Sequence, residues 1–298
     1  MPLSDVGVFL NTTGLADVDA ACRAVRDLGF TEIQLGKLPD DYHSPSGRKL
    51  LAQTIAGHGL RPIALSIVHE GGSYANVDSV RRTVGFLPPE TLEARIQFSF
   101  RCLDTVAALG IPLVTTHIGM LPADPDNAGY QRVRQAVERV ATYAHRAGTQ
   151  YSIETGQETA QELIAFIDRV DAPVAVNFDG PNFIAYQTQD PIAALKQLYP
   201  RTVSVHIKDY LVPAAPGLLS QACQLGEGAG RVDDTLQFLL DNDYSGPLIL
   251  ETYDRVTPME TLTRSRAYVL DYLKRATPTA ASAPLASTDH SVPALTSR

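Results

Sequence analysis

The stretch TVSVHIKDY, residues 202–210, begins as an apolar strand and closes on a histidine, a lysine and an aspartate. Successive strand residues point to opposite faces, so Val203, Val205 and Ile207 share one face and Ser204, His206 and Lys208 the other. A strand with a greasy outer face and a polar inner one suits a closed barrel. Its outside meets helices, and its inner face ends at an open rim.

Seven further segments fit the same pattern: VGVFL (6–10), TEIQL (31–35), PIALSIVH (62–69), PLVTTHIG (112–119), YSIET (151–155), PVAVNFD (173–179) and PLILETY (247–253). Helical stretches separate them, among them LADVDAACRAVRDLG, PETLEARIQFSFRCLDTVAALG, QRVRQAVERVATYAHRAG and DDTLQFLLDN. In the third, Val133, Val137, Val140, Ala141 and Ala144 recur at helical spacing and form one apolar stripe. Gly29, Gly59, Gly110 and Gly148 stand where helices should end before a strand. Eight strand-helix units in 298 residues predict an α/β chain forming a single (β/α)8 barrel over residues 1–276, with an open doubly wound sheet as the alternative. Residues 277–298, rich in Pro, Ala, Ser and Thr without periodicity, read as a flexible tail.

The net charge of −8 gives no general attraction to a phosphate backbone, which argues against a nucleic-acid partner. No apolar run reaches the roughly 18 residues of a membrane span. The N-terminus lacks a basic segment followed by an apolar one, so the cytoplasm is the expected location. Cys22, Cys102 and Cys223 are too far apart for a zinc knuckle and read as reduced thiols.

Parity applied to the other strands turns Glu154, Asp179 and Glu251 inward at strand ends, beside His206. Alone, each has a bland reading, a helix N-cap for an acid or a satisfied core residue for the histidine. Together, three carboxylates in a partly dry pocket repel by several kcal/mol unless they share a cation. The set therefore predicts one divalent metal held by Glu154, Asp179, His206 and Glu251. A mostly oxygen shell suits Mn²⁺ first, then Mg²⁺ or Co²⁺, and Zn²⁺ less well. Open coordination positions would accept a substrate hydroxyl and carbonyl and stabilise an enediolate. Glu154 and Glu251, on opposite faces, could then remove and return a proton.

The runs SIETG, NFDGPN, VSVHIKDY, LGEGAGRVDD and LILETYD, in this order, resemble the xylose isomerase-like TIM barrel superfamily, and within it the group similar to D-tagatose 3-epimerase. The resemblance covers residues 1–276. It implies a metal-dependent isomerase or epimerase acting on a sugar or polyol-derived ketone, with Glu154, Asp179, His206 and Glu251 as metal ligands and the two glutamates as catalytic residues. Asn182 stands where relatives often carry a histidine, and Gln34 where a glutamate is common. Neither amide can transfer a proton near neutral pH, which opens the alternative of a lyase resembling inosose dehydratase. An endonuclease IV-like enzyme with additional metal-binding histidines and a non-catalytic sugar-binding barrel are the remaining readings.

His69, His117, Asn182 and Lys208 are candidate substrate-binding residues. Both faces of 62–69 are apolar, so whether His69 or Glu70 turns inward stays open. Lys208 either offsets charge in the site or snorkels to the rim. Asp209 either orients His206 or Lys208 from behind or belongs to a turn. GEGAG (226–230) lacks the rest of a phosphate-binding motif and reads as a flexible turn before a helix starting near Asp233 or Asp234. A homo-oligomer, dimer or tetramer, is the expected assembly.

Overall fold

A computed structural model describes residue 3 and residues 5–276 of the chain. The tail expected over 277–298 lies outside the described residues. Eight parallel strands close in sequence order into a barrel: β1 Gly7–Phe9, β2 Glu32–Leu35, β3 Arg61–Ile67, β4 Leu113–Thr116, β5 Gln150–Glu154, β6 Ala175–Asp179, β7 Thr202–Ile207 and β8 Leu248–Leu250. Each falls inside or within one residue of its predicted segment. The open-sheet alternative is excluded, because β1 pairs with both β2 and β8.

Helices follow the strands: α1 Val18–Asp27, α2 Pro45–Gly57, α3 Val77–Thr83, α4 Leu92–Leu109, α5 Ala128–Arg146, α6 Ala160–Ile167, α7 Gly180–Ala185, α8 Pro191–Leu198, α9 Val232–Asp241 and α10 Pro258–Ala276. Their ends follow from local chemistry. Asp17 accepts from the Ala20 amide to start α1, and Thr159 with Glu162 forms a reciprocal capping box on α6. Gly29, Gly59, Gly110 and Gly148 all take positive φ, the conformation that lets the chain leave a helix and turn into a strand.

The outer faces of the strands and the inner stripes of the helices make one continuous core. Val133, Val137, Val140, Ala141 and Ala144 of α5 are all fully buried in it. Each such valine contributes roughly 1.5–3 kcal/mol. A smaller cluster of Phe9, Ile63, Ala64 and Ile249 comes largely from inward-facing positions and plugs the barrel below its polar upper half. Cys22 and Cys102 are buried and Cys223 half-buried, all unbridged. Among the described residues no helix is long and apolar enough to cross a membrane.

Candidate metal centre

Above the apolar plug, the C-terminal ends of four neighbouring strands bring Glu154, Asp179, His206 and Glu251 together, all buried, with one donor atom from each lying within 4.8 Å of the others. The register explains how. Asp179 lies opposite His206 across the β6–β7 pair, His206 lies opposite Ile249, and Glu251 follows two residues later on the same parity. Asp179 occupies the N-cap position of α7, yet its side chain makes no cap hydrogen bond. The bland reading of a strand-end aspartate therefore does not hold here. Its backbone is tied instead, by reciprocal bonds with the Thr155 hydroxyl, 2.8 Å from Asp179 N and 3.2 Å from Asp179 O.

The donor set fits a hard divalent cation. His206 Nδ1 faces Glu251 at 3.1 Å, Asp179 at 3.4 Å and Glu154 at 3.5 Å. It makes no hydrogen bond, and Asp179 Oδ1 is likewise buried without a donor. The far ring nitrogen, Nε2, meets the Gln34 carbonyl oxygen at 3.1 Å and stands 3.2 Å from the Asn177 amide, whose own oxygen accepts from Ser204. With Gln34 as acceptor, Nε2 carries a ring hydrogen, so Nδ1 is the nitrogen left to bind a cation among the carboxylates. Phe9 stacks on the ring at 6.3 Å. Gln34 thus keeps an orienting role although it cannot ionise. Gln34→Leu is expected to weaken Mn²⁺ binding about 10- to 100-fold, measured by titration calorimetry, with the fold intact by circular dichroism.

Lys208 is 4% exposed, which excludes the snorkelling reading. Its ammonium lies 2.6 Å from Asp179 Oδ2 and 2.8 Å from Glu251 Oε2, with the rings of Tyr210 and Tyr253 each 5.3 Å away. Burial opposes the charge, but the two carboxylates outweigh it and hold the amine well above the usual lysine value. With His206 neutral, as a metal-bound imidazole must be, three carboxylates against one ammonium leave two negative charges, which a divalent ion would neutralise. Burial would raise the Glu251 carboxyl, yet Lys208 and His206 bring it down to about 2. For Glu154, burial is likewise overcome by His117 and His206, which keep it well below the carboxylate range. For Asp179 burial prevails over Lys208 and the value rises. Burial also works against a charged His206, but Glu154 and Glu251 lift it well above an ordinary imidazole, so this spot draws positive charge.

Of the other predicted residues, His117 and Asn182 join the site. His117 Nε2 lies 3.2 Å from Glu154 Oε1. Asn182 donates to the same oxygen at 3.4 Å and to the Thr155 carbonyl at 3.0 Å. Gly156 makes room for it, since its φ is +124° and a Cβ there would lie 2.1 Å from that of Asn182.

His69 is drawn away from the cluster. Its Nε2 pairs with Ser99 of α4 at 3.1 Å and its ring stands edge-on to Phe86 and Phe98. The outward parity of Leu65 and Ile67 carries it into the helix layer, so its contacts are packing contacts rather than substrate-binding ones. Asp209 orients neither His206 nor Lys208. Its carboxylate accepts from the backbone amides of Tyr210, Gly226, Gly228 and Gly230 at 2.8–3.0 Å. GEGAG is accordingly clamped rather than a flexible turn, and α9 begins at Val232. The glycine amides do cradle an anion, but it is the chain's own carboxylate.

Tyr253 also belongs to the site, a role the strand pattern alone does not assign. Its hydroxyl donates to Glu251 Oε1 at 2.6 Å, and it shares the inward parity of Glu251 in PLILETY.

The xylose isomerase-like TIM barrel family model matches residues 22–274. The crystal structure of a xylose isomerase domain protein from Planctomyces limnophilus superposes with a TM-score of 0.83 at 26% identity, over 92% of this chain and 98% of that one. A xylose isomerase-like TIM barrel protein from Mycobacterium smegmatis, in complex with magnesium, shares the fold at 21% identity and a TM-score of 0.69, over 92% of this chain and 97% of its own. A D-tagatose 3-epimerase-like protein and three sugar 3-epimerases share the fold at lower identity. Among curated proteins, inosose dehydratase from Clostridium tetani (strain Massachusetts / E88) is 25% identical over 142 residues, 43% of this chain and 46% of that enzyme, so the match spans less than half of it.

Proposed function

This chain belongs to the xylose isomerase-like TIM barrel family, and from that premise we propose that it is a divalent-metal-dependent lyase that removes water from a sugar- or polyol-derived ketone. The first step is removal of a proton from the carbon next to the carbonyl, with Glu154 as the base. A divalent ion held by Glu154, Asp179, His206 and Glu251 would polarise the carbonyl and carry the negative charge that develops on its oxygen.

The observation that carries the reading is the inequality of the two glutamates. Glu251 accepts from Lys208 on Oε2 at 2.8 Å and from Tyr253 on Oε1 at 2.6 Å, so neither of its oxygens is left free to take a proton. The partners of Glu154, His117 and Asn182, gather on Oε1. Among the described residues Oε2 has no such donor and is placed to take a proton. One base serves an elimination, whereas epimerisation needs a second on the opposite face. In the elimination the proton passes to Glu154, a carbon-carbon double bond forms beside the carbonyl, and the neighbouring hydroxyl departs. His117, beside Glu154, would protonate that hydroxyl so that it leaves as water. Burial works against a charged His117, yet Glu154 raises it above the ordinary imidazole value, which suits it to hold that proton.

Epimerisation is the second reading, favoured by the presence of two glutamates in one cluster. Mass spectrometry after incubation in D₂O separates the two, using ketoses, inososes and keto-glycosides with and without Mn²⁺. The lyase gives a product lighter by one water. An epimerase returns an isomer carrying one deuterium. If neither appears with any substrate, both readings fail.

A further inference from the structure

The geometry points to residues 211–221 as a gating strap over the metal centre, hinged on the Asp209 clamp and latched to the far side of the barrel by a backbone hydrogen bond. In the closed strand order β3 and β7 stand opposite one another, four strands apart either way round. The chain that leaves β7 nonetheless reaches the chain that leaves β3, because the Val77 amide, at the start of α3, donates to the Gly217 carbonyl at 3.1 Å. The two excursions therefore meet across the mouth. On the β3 side, the ring of Tyr74 lies 6.1 Å from that of His117.

The base of the strap is tied much more firmly than its tip. Tyr210 and Ala222 form an antiparallel bridge, the Leu211 amide donates to Gln221 O at 3.0 Å and the Cys223 amide to Asp209 O at 3.1 Å. The Asp209 carboxylate gathers amides from both ends of the excursion. A Cβ on Gly228 or Gly230 would come within 2.3 or 2.7 Å of that carboxylate, so the clamp requires glycine there. Among the described residues, the strap tip has one hydrogen bond to the rest of the chain, the Val77–Gly217 latch.

The strap itself, LVPAAPGLLSQ, carries no charged residue. Leu211, Val212 and Leu218 are 43%, 69% and 47% exposed. Beneath the mouth, Glu154, Asp179, His206, Lys208 and Glu251 are each no more than 5% exposed. A substrate cannot reach carboxylates so enclosed unless part of the cover moves. The strap is suited to that movement by its firm base and weakly held tip. The inference takes from the proposed function only the metal beneath the strap.

Two variants outside the metal site test it. Val77→Pro deletes the latch donor at the first position of α3, where proline is tolerated. Asn76, at φ −164° and ψ 173°, already holds the extended conformation favoured before proline. Gly217→Ala strains the other half of the latch, because Gly217 has φ +82° with open space around a Cβ. In each, release of bound Mn²⁺ to excess chelator and thermolysin cleavage within 211–221 should both accelerate about three- to tenfold, the worth of one net hydrogen bond. Wild-type rates of both in both variants would overturn the strap as a gate, and if Val77→Pro does not fold, Gly217→Ala decides alone. If the protein binds no Mn²⁺, the metal-dependent reading fails and cleavage alone judges the strap.

Discussion

Glu154→Gln is expected to lower kcat by about 10²- to 10⁴-fold at saturating Mn²⁺, the usual worth of a positioned general base. The substitution keeps the size of the side chain and an oxygen for Asn182 and the metal, and removes the group able to hold a proton. It separates the two readings when paired with Glu251→Gln. Glu251 is engaged by Lys208 and Tyr253, so its amide should weaken metal binding and recover much of its activity as Mn²⁺ is raised. A persistent loss of similar size in both variants at saturating Mn²⁺ would reinstate the exchange of a proton between two glutamates.

Lys208→Met should destabilise the metal-free protein by about 3–5 kcal/mol, the cost of removing one partner from a buried ion pair. Methionine conserves most of the packing volume, so the deficit is one of charge. Asp179 and Glu251 are left facing each other without the ammonium that stands 2.6 and 2.8 Å from them. Saturating Mn²⁺ should then protect the variant more than it protects the wild type. Urea unfolding with and without Mn²⁺ measures both quantities. A metal-free variant within 1 kcal/mol of wild type would show that the carboxylates shed their charge by taking protons instead.

These effects rest on residues that were unequally legible in the sequence. The barrel could be read because period-two alternation marks both the existence of a strand and the face each side chain uses. Glu154, Asp179, His206 and Glu251 all follow from that rule together with the repulsion of buried carboxylates. The same rule fails on β3, where apolar residues occupy both parities, and there it left His69 undecided. Ser99 and Phe98, which draw it into the helix layer, lie some thirty residues away on another element. Asp209 posed a different problem. Its partners are backbone amides, which carry no residue-specific signal, and the glycines that present them look the same in a phosphate loop or a turn. Gln34 lacks an ionisable group, yet its use is as an acceptor for the ring of His206, which depends on β2 and β7, three strands apart in the closed order, both turning these side chains into the barrel. The short helices α3 and α7 have too few turns for their periodicity to stand out.

The Asp209 clamp has a consequence for how this protein could change. Because one carboxylate binds amides at both ends of the excursion, the intervening chain starts and finishes at a fixed point beside Lys208, whatever its length. Residues 211–221 can therefore be treated as a replaceable cassette. Segments of other composition could be grafted between Tyr210 and Ala222 to redesign the entrance, while the acids and imidazole below keep their positions.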